Sequence, residues 1–153
     1  MKIVDFLPEE LVFPSLQAAS KDGVLEELAR GLARMHPEIE PSRLVDVLLE
    51  REKLGSTAIG DGIAIPHGKL PGLNSVLGAF GRHAAGLDFQ SLDGAPTKLF
   101  FLLVAPEDSA GMHLKALARV SRLLKDAAFR ARLVGADTRE ALYQLIREED
   151  EKL

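Results

Sequence analysis

Six consecutive apolar residues, Leu99-Phe100-Phe101-Leu102-Leu103-Val104, constrain this chain more than any other feature. A strand with one wet face alternates apolar and polar residues, whereas a strand buried on both faces reads as a continuous apolar run. The segment is expected to be such a strand. It is far too short to cross a bilayer, so it belongs inside a globular core. Helical and strand periods alternate through the rest of the chain, which supplies layers to cover it.

Ser20 is placed to cap a helix carrying Leu25, Leu28, Leu32 and Met35 on one face, with Pro37 closing it. A second helix starts near Pro41, a favourable first-turn residue, and Gly55 suits its end. Leu44, Val47 and Leu48 form its apolar stripe. Two short strand-like runs follow, Thr57–Ile59 and Ile63–Ile65, separated by the turn Gly60-Asp61-Gly62. Residues 67–74 read as a polar loop and Val76–Phe80 as a strand. Asp93-Gly94 marks a turn. The last third reads as helical: Asp108 or Ser109 to about Lys125, Ala127 to Leu133, and a final helix with Asp137 and Glu140 as a capping box. The expectation is a single α/β domain over residues 1–153, with a mixed sheet of about five strands flanked by helices on both faces.

Several function classes lose their support. There are no cysteines, which removes thiolate chemistry, disulfides and cysteine metal sites. A net charge of −4 argues against non-specific nucleic-acid binding. No GxxxxGK[ST], GxGxxG, GxSxG or HExxH motif occurs, and the four histidines share no ligand spacing, so neither cofactor nor metal is expected. The N-terminal residues lack the apolar run of a signal peptide, and a cytoplasmic location without membrane insertion is expected.

What remains is Gly62-Ile63-Ala64-Ile65-Pro66-His67-Gly68. Pro66 suits a strand end, because proline cannot donate to a ladder. Gly68 removes bulk beside the His67 ring. The arrangement offers an imidazole at a sheet terminus, and a neutral ring nitrogen is a competent nucleophile. A histidine that only bonds a loop fits the same residues. Arg51 lies seven, four and three residues after Leu44, Val47 and Leu48, so it continues an inward stripe. It reads either as a snorkelling side chain or as a guanidinium holding an anion. His113 shares a face with Leu117, Val120 and Leu124, in the first turn of its helix, where the dipole favours an anion. By itself it fits a core-edge histidine equally. The other histidines, His36 and His83, read as solvent-facing. Ser56 and Thr57 could add hydroxyl and N–H donors.

The run from Leu49 to Leu70, LEREKLGSTAIGDGIAIPHGKL, resembles the signature of the fructose/mannitol-type EIIA domains of the bacterial phosphotransferase system. It is most similar to their nitrogen-type regulatory branch. Phe101–Pro106 followed by His113-Leu114-Lys115-Ala116-Leu117, and Glu140-Ala141-Leu142-Tyr143, extend the likeness over nearly the whole chain. The resemblance implies that His67 accepts a phosphoryl group on Nε2 from an HPr-type phosphohistidine protein. Arg51 and His113 correspond to the family's phosphate-stabilising positions. Ser56, Thr57 and Gly68 are expected as lesser contacts, with Leu70, Pro71 and Leu73 on an apolar docking rim. The next partner would be an EIIB domain or a regulated target protein, with a homodimer left open. Two other readings remain: a transport EIIA serving a sugar-specific EIIB, and a module in which phosphohistidine only switches partner binding. A metal site built from His67, His113 and Asp61 has no support in ligand spacing.

Overall fold

The computed structural model describes all residues from Met1 to Leu153. Two short 3₁₀ turns, Ile3–Asp5 and Glu9–Leu11, lead into β1 (Val12–Phe13). Helices α1 (Lys21–Met35) and α2 (Pro41–Lys53) follow. Next come β2 (Ala58–Gly60), β3 (Ile63–Ala64), β4 (His67–Leu70), β5 (Leu77–Leu87) and β6 (Thr97–Pro106). Helices α3 (Ala110–Leu123), α4 (Ala127–Gly135) and α5 (Arg139–Glu151) complete the chain.

The apolar run forms the middle of β6, and every residue from Leu99 to Pro106 is buried. This strand is the axis of an open mixed sheet ordered β1-β5-β6-β3-β2. On one side β6 pairs with the antiparallel β5. On the other it pairs first with β3 and then with β4, both parallel. Helices α1 and α2 pack together against one face, while α3, α4 and α5 cover the other. The expected two-faced α/β architecture is present.

The sheet has six strands, in keeping with the expected size of about five, and residues 67–70 are a strand and not a loop. His67, Gly68, Lys69 and Leu70 register with Leu103, Val104, Ala105 and Pro106. The mistaken expectation has a simple cause. This strand is partly exposed, and three of its four residues are polar or small, so it carries no apolar period. Strand β5 runs well past Phe80, to Leu87. Its glycines hide the pattern; a Cβ on Gly81 would lie 2.6 Å from Leu16.

Helix starts were legible at Ser20, whose Oγ accepts from the Gly23 N–H at 3.1 Å, and at Pro41. The start of α5 differs. Thr138, not Asp137, caps it by accepting from the Ala141 N–H at 3.1 Å. Ser109 stands at the head of α3 without a side-chain capping bond, and that helix ends at Leu123, two residues before Lys125. His83 is buried on β5, with Nε2 2.7 Å from the Ala18 carbonyl, where a solvent-facing ring was expected. His36 is partly covered and sits 3.7 Å from Glu38.

Candidate functional site

Helix α2 lies directly over β4, and Gly68 sets how close it comes. A Cβ on Gly68 would sit 2.6 Å from Val47 Cγ1. One helical turn after Val47, Arg51 therefore reaches the ring of His67. Its Nε lies 3.3 Å from His67 Nε2, and its Nη1 donates to the Gly55 carbonyl at 3.0 Å.

The second ring nitrogen of His67 lies 2.9 Å from the Ile65 carbonyl oxygen. A carbonyl only accepts, so Nδ1 carries the proton. An arginine Nε only donates, so Nε2 is the acceptor. Both bonds select the same neutral tautomer, with the lone pair on Nε2. Burial of the ring is the largest influence on its pKa and holds it below the usual imidazole value. The Arg51 charge acts in the same direction, against the Ile65 carbonyl bond and the Glu52 charge.

His113 enters from the first turn of α3. Its ring centroid is 5.3 Å from that of His67, with the planes inclined by 51°. It is buried, and its Nδ1 has no partner. Burial lowers its pKa most, followed by the charges of His67 and Lys69. The site is thus assembled from α2, β4 and α3, which meet only through the tertiary fold.

An open cleft of about 600 Å³ lies over these groups, lined by Val47, Glu50, Arg51, Leu54, His67, Gly68, Lys69 and His113. Three of the expected site residues, His67, Arg51 and His113, line this one space, and Gly68 forms part of its floor. Lys69 is an addition. It lies two residues beyond His67 on β4, hence on the same side of the strand, a relation that a loop over residues 67–70 would not impose. Leu54, 84% exposed at the cleft edge, is a second addition.

Ser56 and Thr57 do not line the cleft. The Ser56 hydroxyl donates to the Phe89 carbonyl at 2.8 Å and accepts from the Ala58 N–H at 3.0 Å. Thr57 is buried, with its N–H and hydroxyl both on the Glu52 carboxylate. The expected rim also moves: Leu70 is buried, while Pro71 and Leu73 border a separate hollow beside Ile39 and Arg43. Asp61 lies outside the cleft, its N–H on Asp93 and its carboxylate 3.9 Å from Arg130. No three His, Asp or Glu side chains gather as a metal site.

Chemically, the cleft combines a neutral imidazole nitrogen of fixed tautomer with cationic donors around its open side. That combination defines a class of domain suited to taking up an anionic group on histidine. Residues 5–149 match the sequence model of the family described as "Phosphoenolpyruvate-dependent sugar phosphotransferase system, EIIA 2", and the chain belongs to that family. It is 44% identical over 146 residues to a nitrogen regulatory protein of Bradyrhizobium diazoefficiens, covering 95% of each chain. It is 34% identical over 150 residues to the fructose-specific EIIABC component of Bacillus subtilis, covering 98% of this chain and 24% of that protein. The crystal structure of nitrogen regulatory protein IIA-Ntr from Neisseria meningitidis matches with a TM-score of 0.87 at 31% identity, over 94% of this chain and 98% of that one.

Proposed function

We propose that this chain is a phosphoryl carrier of the phosphotransferase system, loaded on His67 Nε2 by an HPr-type phosphohistidine protein. The observation that supports the reading is the pair of bonds that puts the ring proton on Nδ1 and the lone pair on Nε2, where Arg51 donates to it at the edge of the cleft. In the transfer, that lone pair forms the new N–P bond. The donor's P–N bond breaks and its electron pair returns to the donor imidazole. Positive charge arises on the His67 ring, where the Nδ1–H bond to the Ile65 carbonyl accommodates it. The Arg51 guanidinium turns its donors from Nε2 to the phosphoryl oxygens, and His113 and Lys69 offer further cationic or N–H contacts. The donor phosphoramidate is already activated, so the work of this chain is positioning and charge stabilisation.

The regulatory, nitrogen-type role is the favoured one. Its support is the greater identity to a nitrogen regulatory protein than to the fructose-specific component. In that role, loading His67 adds about two negative charges to the cleft and alters its fit to a target protein. The transport alternative would instead send the group to an EIIB domain.

The test is intact-mass spectrometry at alkaline pH after incubation with a phosphorylated HPr-type donor. Wild-type chain gains one acid-labile phosphoryl group, and His67→Ala gains none. Label retained on that variant refutes the assignment.

A further inference from the structure

Glu52 follows Arg51 on α2, yet it serves no face of the cleft. Its side chain is only 6% exposed. A buried carboxylate is costly unless paired and hydrogen-bonded, and this one is fully engaged. Oε1 accepts from the Thr57 N–H at 3.0 Å and pairs with Lys21 Nζ at 3.0 Å. Oε2 takes the Thr57 hydroxyl. Lys21 is fixed in turn over the Phe89 ring, 4.8 Å from its centroid.

From Thr57 the connection continues through backbone. Its carbonyl accepts from the Ile65 N–H at 3.1 Å. The Ile65 carbonyl accepts from His67 Nδ1 at 2.9 Å. A chain of hydrogen bonds therefore runs from a buried charge on α2, through two strand-edge residues, to the far nitrogen of the ring. Each link fixes the position of the next group, so the connection is one of geometry.

We propose that Glu52 is a positioning residue for His67, holding Thr57 and through it the Ile65 carbonyl that keeps the imidazole in its Nδ1–H form. The inference deepens the carrier reading above and rests on it. Two adjacent residues of one helix turn then act on opposite nitrogens of one ring: Arg51 directly on Nε2, Glu52 through Thr57 and Ile65 on Nδ1. The charge of Glu52 also opposes that of Arg51 at His67, which favours a ring that becomes positive as the N–P bond forms. The other charged or titratable groups around the ring are Glu50 on α2, Lys69 on its own strand and His113 on α3, with Lys21 of α1 behind Glu52.

The experiment reads the tautomer. Long-range ¹H–¹⁵N imidazole spectra of the full chain at neutral pH are recorded for wild type, Glu52→Ala and Thr57→Val. Wild type shows His67 as one Nδ1–H tautomer. Glu52→Ala shows a tautomer mixture, together with a loss of about tenfold to a hundredfold in transfer rate from a phosphorylated HPr-type donor, the scale of a small misplacement at a reacting centre. Thr57→Val keeps the backbone N–H and moves the same way by less. A folded Glu52→Ala that keeps the single Nδ1–H tautomer overturns the proposal, whatever its rate. Where Glu52→Ala fails to fold, an unchanged Thr57→Val spectrum overturns it instead. The spectra need no donor, so a wild type that takes no label defeats the carrier reading separately.

Discussion

Val47 fills the space that a side chain at residue 68 would occupy, its Cγ1 lying 2.6 Å from the Cβ position that Gly68 leaves empty. Everything downstream on α2 takes its height above the sheet from that contact. Gly68→Ala is expected to cost about 1–3 kcal/mol, the usual range for an overpacked core, and to lift Arg51 away from His67. Chemical denaturation reads the first effect and transfer kinetics the second. Removing the clash with Val47→Ala should recover much of both. A double variant no better than Gly68→Ala would show that the glycine serves something other than this approach.

Arg51→Ala tests the other side of the ring. The side chain bonds His67 Nε2 and the Gly55 carbonyl, and the residue is only partly buried. The fold should survive. Transfer to His67 should fall by about a hundredfold to a thousandfold, the scale seen when one preorganised donor to a developing anion is removed. Arg51→Lys should restore only part, because an ammonium lacks the planar fork. Unchanged kinetics in Arg51→Ala would reduce it to a bracing residue.

The histidine pair carries a signed pH dependence. His67 and His113 both titrate below the 6.5 of a free imidazole, burial being the main cause for each. In the unfolded chain both take a proton near that reference value. Above it, neither state binds the proton and the pair has no effect on stability. As pH falls through it, the unfolded chain binds protons that the folded chain resists, so stability declines until the lower folded values are passed. Proton NMR titration should place both midpoints below 6.5. Replacing both residues with Gln should flatten the decline in stability below that pH. A midpoint at or above the reference for His67 would contradict the lowering that burial of the ring imposes.

What repeats locally is legible in the sequence. The apolar run of β6 announced a strand covered on both sides. Helical phase alone turned Arg51 and His113 inward, and Gly68 stood out beside His67. The residues whose surroundings the sequence does not report depend on partners far along the chain. Lys69 joins the cleft only because residues 67–70 pair with 103–106. Thr57 turns from the cleft because Glu52 of α2, itself paired with Lys21 of α1, accepts from both its N–H and its hydroxyl. His83 is buried by the segment around Ala18, 65 residues earlier. No local period reports such contacts.

The N-terminal turn and the last helix provide a contrast that separates folding from chemistry. Asp150 on α5 is 1% exposed. It accepts from Arg119 Nε at 3.0 Å and Nη2 at 2.8 Å, and from the Val4 N–H at 3.2 Å. The carboxylate thereby ties α3, α5 and the first turn of the chain together. Removing one partner of a buried pair leaves the other uncompensated. Asp150→Ala is expected to lower stability by about 3 kcal/mol or more, read as a shift in denaturation midpoint. None of these residues lines the His67 cleft, so under conditions where the variant remains folded it should take label from the phosphorylated donor at the wild-type rate. A slowed rate with an intact fold would mean that the α3–α5 lock sets the position of His113, which lies six residues before Arg119 on the same helix.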